Sequence, residues 1–225
     1  MKPLRFVTWL LAFALYAVQC YTPSYCQQQI PPKGGQTPQI RPPEYAHLSA
    51  KDYELVKGVI LGDAKRVKSA LEKGANPNLK DDMPLVFRSA MNHNVKVTQL
   101  LLRYGADPNA CEPLGRKSTL FVSCCPSSKY WDEAYTVAKS LLDAGAKVNA
   151  ADKLGWTPLM CAVARGNVHI VQLLLAHKAD KRMRDASGKT ALDHALGKTS
   201  DANLKAGREA AYKILKEANP AKLHK

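Results

Sequence analysis

Between Thr157 and Leu175 the apolar positions form two stripes separated by a glycine. Leu159, Ala162 and Val163 fall on one face of a short helix, and Ile170, Val171, Leu174 and Leu175 recur as the stripe of a second amphipathic helix. Thr157 offers a hydroxyl to cap the first helix. Pro158 suits the first helical position, where no amide donor is needed. Gly166 predicts a left-handed residue that ends this helix. One such pair buries only the surfaces its helices turn toward each other, so the pattern predicts neighbours of the same kind.

Those neighbours are present. Tyr53, Leu55, Val56, Val59 and Ile60, then Val67, Ala70 and Leu71, predict a helix pair over residues 49–78. Ser49 with Asp52 marks its start, and Leu48 outside it acts as an apolar staple. Residues 81–109 open on Met83-Pro84-Leu85-Val86 after a shortened connection, and residues 112–149 open on Ser118-Thr119-Leu120-Phe121. The second of these carries about six extra residues around Pro126-Ser127-Ser128-Lys129-Tyr130-Trp131, between its helices. A last unit begins at Asp185, has a lengthened turn, and closes with a helix bearing Leu204, Ala211, Ile214 and Leu215. Gly74-Ala75, Gly105-Ala106, Gly145-Ala146 and Lys178-Ala179 follow one another at spacings of 31, 40 and 33 residues. In the first three copies an asparagine comes three residues after the alanine: Asn78, Asn109 and Asn149.

The clearest unit runs from Asp152 as D-K-L-G-W-T-P-L-M-C-A-V-A-R-G-N-V-H-I-V-Q-L-L-L-A-H-K-A-D, and it resembles the ankyrin repeat at many positions in register. The resemblance extends over about residues 48–219. It implies an all-α ankyrin-repeat solenoid of about four repeats plus an N-terminal capping helix pair, with short β-turn fingers, in a domain placed at 47–219. It also implies protein–protein recognition, with side chains off the consensus choosing the partner.

The ends of the chain read differently. Lys2 and Arg5 precede an apolar run from Phe6 to Val18, too short to span a bilayer but suited to a secretory signal over residues 1–19. Residues 20–46 are rich in Pro and Gln and are expected to form an extended spacer, and residues 220–225 a basic tail. Cleavage near Leu15-Tyr16-Ala17 releases a soluble protein. Cleavage before Cys20 instead makes that cysteine a candidate for lipidation, the one route to a membrane. The expected location is outside the cytoplasm, the periplasm of a Gram-negative cell, where disulfides form. Cys111 with Cys124 or Cys125 is the expected pair, since they share a unit, while Cys161 reads as a small buried hydrophobe. No C-x-x-C and no paired histidines suggest zinc.

Charge then sharpens the partner. With 46% hydrophobic residues the chain is too apolar for wholesale disorder, and 33 Lys+Arg against 19 Asp+Glu give +14. Such an excess invites nucleic acid, but export removes chromosomal DNA as a partner. From Lys178 onward basic residues outnumber acidic ones by 12 to 6, so the excess is skewed to one end and points to an acidic protein or envelope partner.

Catalytic constellations are weak. His93 and His169 sit near turns, where polar residues are common, and His177 and His194 lie on separate units with no carboxylate at helical spacing that suggests a relay. Ser187-Gly188-Lys189-Thr190 looks like part of a phosphate loop but lacks the preceding glycine and strand, and Asp81-Asp82 lies in a loop. A non-enzyme without cofactor is expected. The candidate partner-binding residues are Trp156 with Leu154 and Lys153, framed by Arg116, Lys117, Arg184 and Lys189 on neighbouring fingers, and the Tyr130-Trp131 insertion. An exported, basic stack on a spacer resembles the periplasmic self-protection ankyrin proteins of predatory bacteria. That layout implies sequestration of a partner such as a secreted peptidoglycan hydrolase. An envelope-attached scaffold and a host-directed effector are the alternatives.

Overall fold

The computed structural model describes Tyr45 and residues 47–79, 83–197 and 199–217. The export signal, Cys20, nearly all of the spacer, Asp81-Asp82 and the basic tail therefore lie outside the described residues. A compact unit begins at His47, and among the described residues it contains helices and no strand, an all-α ankyrin-type solenoid.

Five helix pairs follow one another. Unit I is α1 (Ala50–Leu61) and α2 (Ala64–Glu72), and unit II is α3 (Leu85–Met91) and α4 (Val95–Arg103). Unit III is α5 (Thr119–Ser123), a 3-10 turn (Ser128–Tyr130) and α6 (Trp131–Asp143). Unit IV is α7 (Pro158–Ala164) and α8 (Val168–Ala176), and unit V is α9 (Ala191–Ala195) and α10 (Ala202–Glu217). First helices pack on first helices and second on second, giving two layers.

Local chemistry sets the helix starts. Ser49, Asp63, Asn94, Ser118, Thr157, Asn167 and Thr190 each accept a backbone N–H from the turn they cap. In unit IV, Thr157 accepts from Met160 and Pro158 stands at the start of α7. Gly166 then adopts φ 67° and closes the helix, as its residue type predicts. Leu159, Ala162, Val163, Ile170, Val171 and Leu174 are all buried between the layers. Each buried aliphatic side chain of this kind contributes about 1.5–3 kcal/mol relative to exposure.

The recurring asparagines join the units. Asn78 donates from Nδ2 to the Gly105 carbonyl (2.8 Å) and accepts from the Asp107 N–H (2.7 Å). Asn109 does the same with Gly145 (3.3 Å) and Lys147 (2.8 Å). Asn149 accepts from the Asp180 N–H at 2.9 Å.

The cysteines depart from expectation. Cys125 bonds Cys161 of the next unit, with their Cα atoms 5.7 Å apart, while Cys111 and Cys124 are free thiols. Cys111 precedes α5 and Cys125 follows it, so the helix holds them apart. A residue step turns a helix by about 100°, and Cys124 accordingly enters the core while Cys125 faces unit IV. Cys161 is buried as expected, but bonded. A bond spanning 36 residues stabilises the fold by about 2–4 kcal/mol.

Helix α10 seats against unit IV through two glycines. A Cβ on Gly207 would lie 3.0 Å from Gly166 Cα and closer still to its carbonyl oxygen. Arg208 Nε secures the same contact by donating to the Ala164 carbonyl at 2.9 Å. Gly207→Ala is therefore expected to lower stability by about 1–3 kcal/mol in urea titrations. An unchanged midpoint would mean that α10 is not seated on the Gly166 turn.

Candidate functional site

Fingers III, IV and V are each organised by one carboxylate. In finger III (residues 112–118) Glu112 accepts from the N–H groups of Leu114 (3.0 Å) and Gly115 (2.6 Å). In finger IV (152–157) Asp152 accepts from Leu154 (2.8 Å) and Trp156 (2.9 Å). In finger V (185–190) Asp185 accepts from Ser187 (2.8 Å) and Lys189 (3.0 Å). Gly155 and Gly188 both take φ 75°, which their lack of a Cβ permits. The fingers also bond to one another. The Lys153 N–H donates to the Gly115 carbonyl (3.0 Å), and the Ala186 N–H donates to the Leu154 carbonyl (2.9 Å).

This edge brings most of the expected binding residues together. Leu154 is 62% exposed, and Leu114 at the matching place on finger III is 54% exposed. Lys153, Arg116, Arg184 and Lys189 are exposed around them, and Lys117 is half-buried. Arg184 also donates to the Gly188 carbonyl at 2.7 Å, which fixes its guanidinium beside finger V. Leu114 escaped the sequence reading, although its signal is legible: Leu-Gly occurs in both fingers.

Trp156 is only half-buried and packs its ring against His194, centroids 4.4 Å apart. His194 Nε2 in turn lies 2.8 Å from Asp185 Oδ2. Burial pushes the Asp185 carboxyl up, but the Lys189 N–H, His194 and the Ser187 N–H together hold it below its ordinary value. Trp156 thus ties finger IV to unit V as well as bordering the edge. The His194 partner was missed because it sits on a finger nine residues earlier, outside helical spacing. Among the described residues, no group of three or more His, Cys, Asp or Glu is placed to hold a metal, and no helix is long and apolar enough to cross a membrane.

The family model described as Ankyrin repeats (3 copies) matches residues 128–206. Over those residues the chain is similar to ankyrin repeats. The Arabidopsis thaliana protein XBAT34 is 40% identical over 116 residues, 51% of this chain and 29% of its own length. Human Ankyrin repeat and SOCS box protein 6 is 31% identical over 147 residues, 60% of this chain and 33% of that protein. Mouse 2-5A-dependent ribonuclease is 51% identical over 53 residues, 23% of this chain and 7% of that protein. The chain spans a third or less of each relative. Ankyrin repeats bind other proteins and are not themselves catalytic, so the coarse function is that of a protein–protein interaction module.

The Tyr130-Trp131 insertion is not part of the finger edge. It follows α5, whereas finger III precedes it. Tyr130 stacks on His93 of unit II, centroids 5.3 Å apart. Trp131 is half-buried and lines a groove of about 460 Å³ with Tyr135, His169 and Leu173.

His93 occupies an ankyrin turn where units I and IV have Gly62 and Gly166, and it takes the same left-handed geometry (φ 53°). A non-glycine residue pays about 1–2 kcal/mol for that conformation, which the Tyr130 contact helps offset. Burial lowers the His93 pKa, with the Glu133 carboxylate opposing. The folded protein therefore favours neutral imidazole. This contribution is complete above the ordinary value of 6.5 and is lost as pH falls below it toward the depressed folded value. Stability should decline between pH 7 and pH 5 in the parent and decline less in His93→Asn. Parallel pH profiles from thermal unfolding would refute the assignment.

Proposed function

We propose that the chain is an exported binding module that sequesters or inhibits an acidic partner protein through the edge formed by fingers III–V. The observation that carries this reading is the pair of uncovered leucines, Leu114 and Leu154, on hydrogen-bonded fingers with Arg116, Lys153, Arg184 and Lys189 around them. Apolar tips supply desolvated contact, while the surrounding cations speed encounter with an acidic surface and reject a basic one. The basic groups share fingers III–V with the leucines, so a complementary segment presents apolar residues accompanied by carboxylates.

Export is supported by the signal-like first nineteen residues and by the Cys125–Cys161 disulfide, which suits an oxidising compartment. In the most concrete form of the reading the partner is a peptidoglycan hydrolase of the envelope. The finger edge lies across its cleft and excludes substrate, protecting the cell from its own enzyme. The stack needs no chemistry of its own for this role.

Affinity capture from envelope extract tests the proposal. Leu114→Asp and Leu154→Asp are each expected to weaken capture of the same protein by about tenfold or more. Trp131→Ala, at the start of α6 and away from the fingers, should leave it unchanged. Retention should also fall as ionic strength rises, because exposed cations are screened. Capture that survives both leucine substitutions would remove the finger edge from consideration.

A further inference from the structure

The five units are not joined equally. At the III–IV junction α5 meets α7, and α6 meets α8, over a shorter stretch than at any other junction in the same layer. Local sequence explains part of this. Helix α5 lasts five residues and stops before Cys124-Cys125-Pro126, since the residue preceding a proline disfavours helical geometry. The outer helices that meet there are α6, of 13 residues, and α8, of 9. The groove of about 460 Å³ lies between them, and the buried indole N–H of Trp131 beside it has no acceptor. The asparagine bridge is also reduced here relative to the I–II and II–III junctions, whereas at IV–V Arg182 stands in the asparagine's place. Asn78 and Asn109 each make two cross-unit bonds, whereas Asn149 makes the accepting one to Asp180.

The disulfide crosses this same junction. Cys125 follows the end of α5 in unit III, and Cys161 lies within α7 of unit IV. In a stack where each unit touches only its neighbours, the weakest interface decides whether the array unfolds as one body or as two. We propose that the Cys125–Cys161 disulfide is a redox-sensitive clasp joining units I–III to units IV–V, and that its reduction divides the stack into two halves that unfold independently.

The reductant is a dithiol, of the kind supplied by dithiothreitol or a protein with two adjacent thiols. Its thiolate attacks the sulfur of Cys125, which is half-exposed, rather than that of buried Cys161. The S–S bond breaks, and the Cys161 sulfur leaves and takes a proton. The second thiol then attacks the mixed disulfide and releases Cys125 as a thiol. Two electrons pass from the dithiol, which becomes a disulfide, and two protons end on the cysteines. Neighbouring Cys124 does not intercept the exchange, because burial, opposed by a hydrogen bond with Ser123, pushes its thiol up to about 12 and keeps it protonated. Leu114 and Leu154 lie on opposite sides of the junction, so the clasp also sets the spacing of the two apolar tips. That consequence rests on the finger-edge reading, whereas the clasp itself does not.

Trp131 in unit III and Trp156 in finger IV provide a reporter for each half. Two full-length proteins, each carrying Trp9→Phe with either Trp131→Phe or Trp156→Phe, are unfolded in urea while fluorescence is followed. With the disulfide intact each protein's fluorescence midpoint should coincide with its own far-UV circular dichroism midpoint, a comparison that removes the effect of the tryptophan substitution itself. After reduction, verified by thiol counting, the fluorescence and dichroism midpoints should part by about 0.5 M urea or more. Adding Cys125→Ser and Cys161→Ser to both reporters should reproduce the separation without reductant, and dithiothreitol should change those proteins no further. Midpoints that stay superimposed after verified reduction would overturn the clasp. So would midpoints already separate when oxidised, or a reduced protein with no folded baseline in either half. Because no partner is present, this result is independent of whether the leucine substitutions alter capture.

Discussion

The arrangement of the stack depends on a side-chain amide that completes the turn of the following unit. Asn78 reaches the Gly105 carbonyl and the Asp107 N–H, and Asn109 reaches Gly145 and Lys147 in the same way. Each bond is exposed and contributes at most about 0.5–1.5 kcal/mol. Its value lies in register: a carboxamide that donates and accepts at once fixes one unit's rotation and height relative to the next. Burial of Leu101, Leu141 and Leu174 between the layers supplies the driving force but is less directional.

Register at the turns carries over to the fingers. Once neighbouring units are aligned, the Lys153 and Ala186 N–H groups meet the carbonyls of Gly115 and Leu154. The carboxylates of Glu112, Asp152 and Asp185 keep each finger folded on itself. Leu114 and Leu154 are thereby held outward on a scaffold that has already met the entropic cost of ordering, which favours binding by a preformed edge. Trp156 illustrates how one residue serves both ends of this chain of causes, since its contact with His194 links finger IV to the aspartate that shapes finger V.

Features whose cause is local were legible in the sequence. Thr157, Pro158 and Gly166 act within a few residues of themselves, and the structure uses each as its chemistry predicts. The recurrence of Asn78, Asn109 and Asn149 was visible, but the bonds they make span 27–38 residues and only the fold brings those groups together. The same limit explains the cysteines. A pairing sought inside unit III missed Cys161, which stacking places beside Cys125. Trp156 stood out in the sequence as a finger residue the core does not need, and Leu154 and the cations were named only as its neighbours on the fingers. Leu114 and the Asp185–His194 pair were not found, because their roles appear only when successive fingers align.

Hydrogen exchange at three backbone amides tests the asparagine bridges most directly. The N–H groups of Asp107, Lys147 and Asp180 each donate to an asparagine of the preceding unit. In the folded protein they should exchange far more slowly than the same amides in unstructured peptides, and Asn109→Ala should selectively accelerate Lys147. Exchange of all three at peptide rates, while the α4, α6 and α8 amides stay protected, would contradict the account.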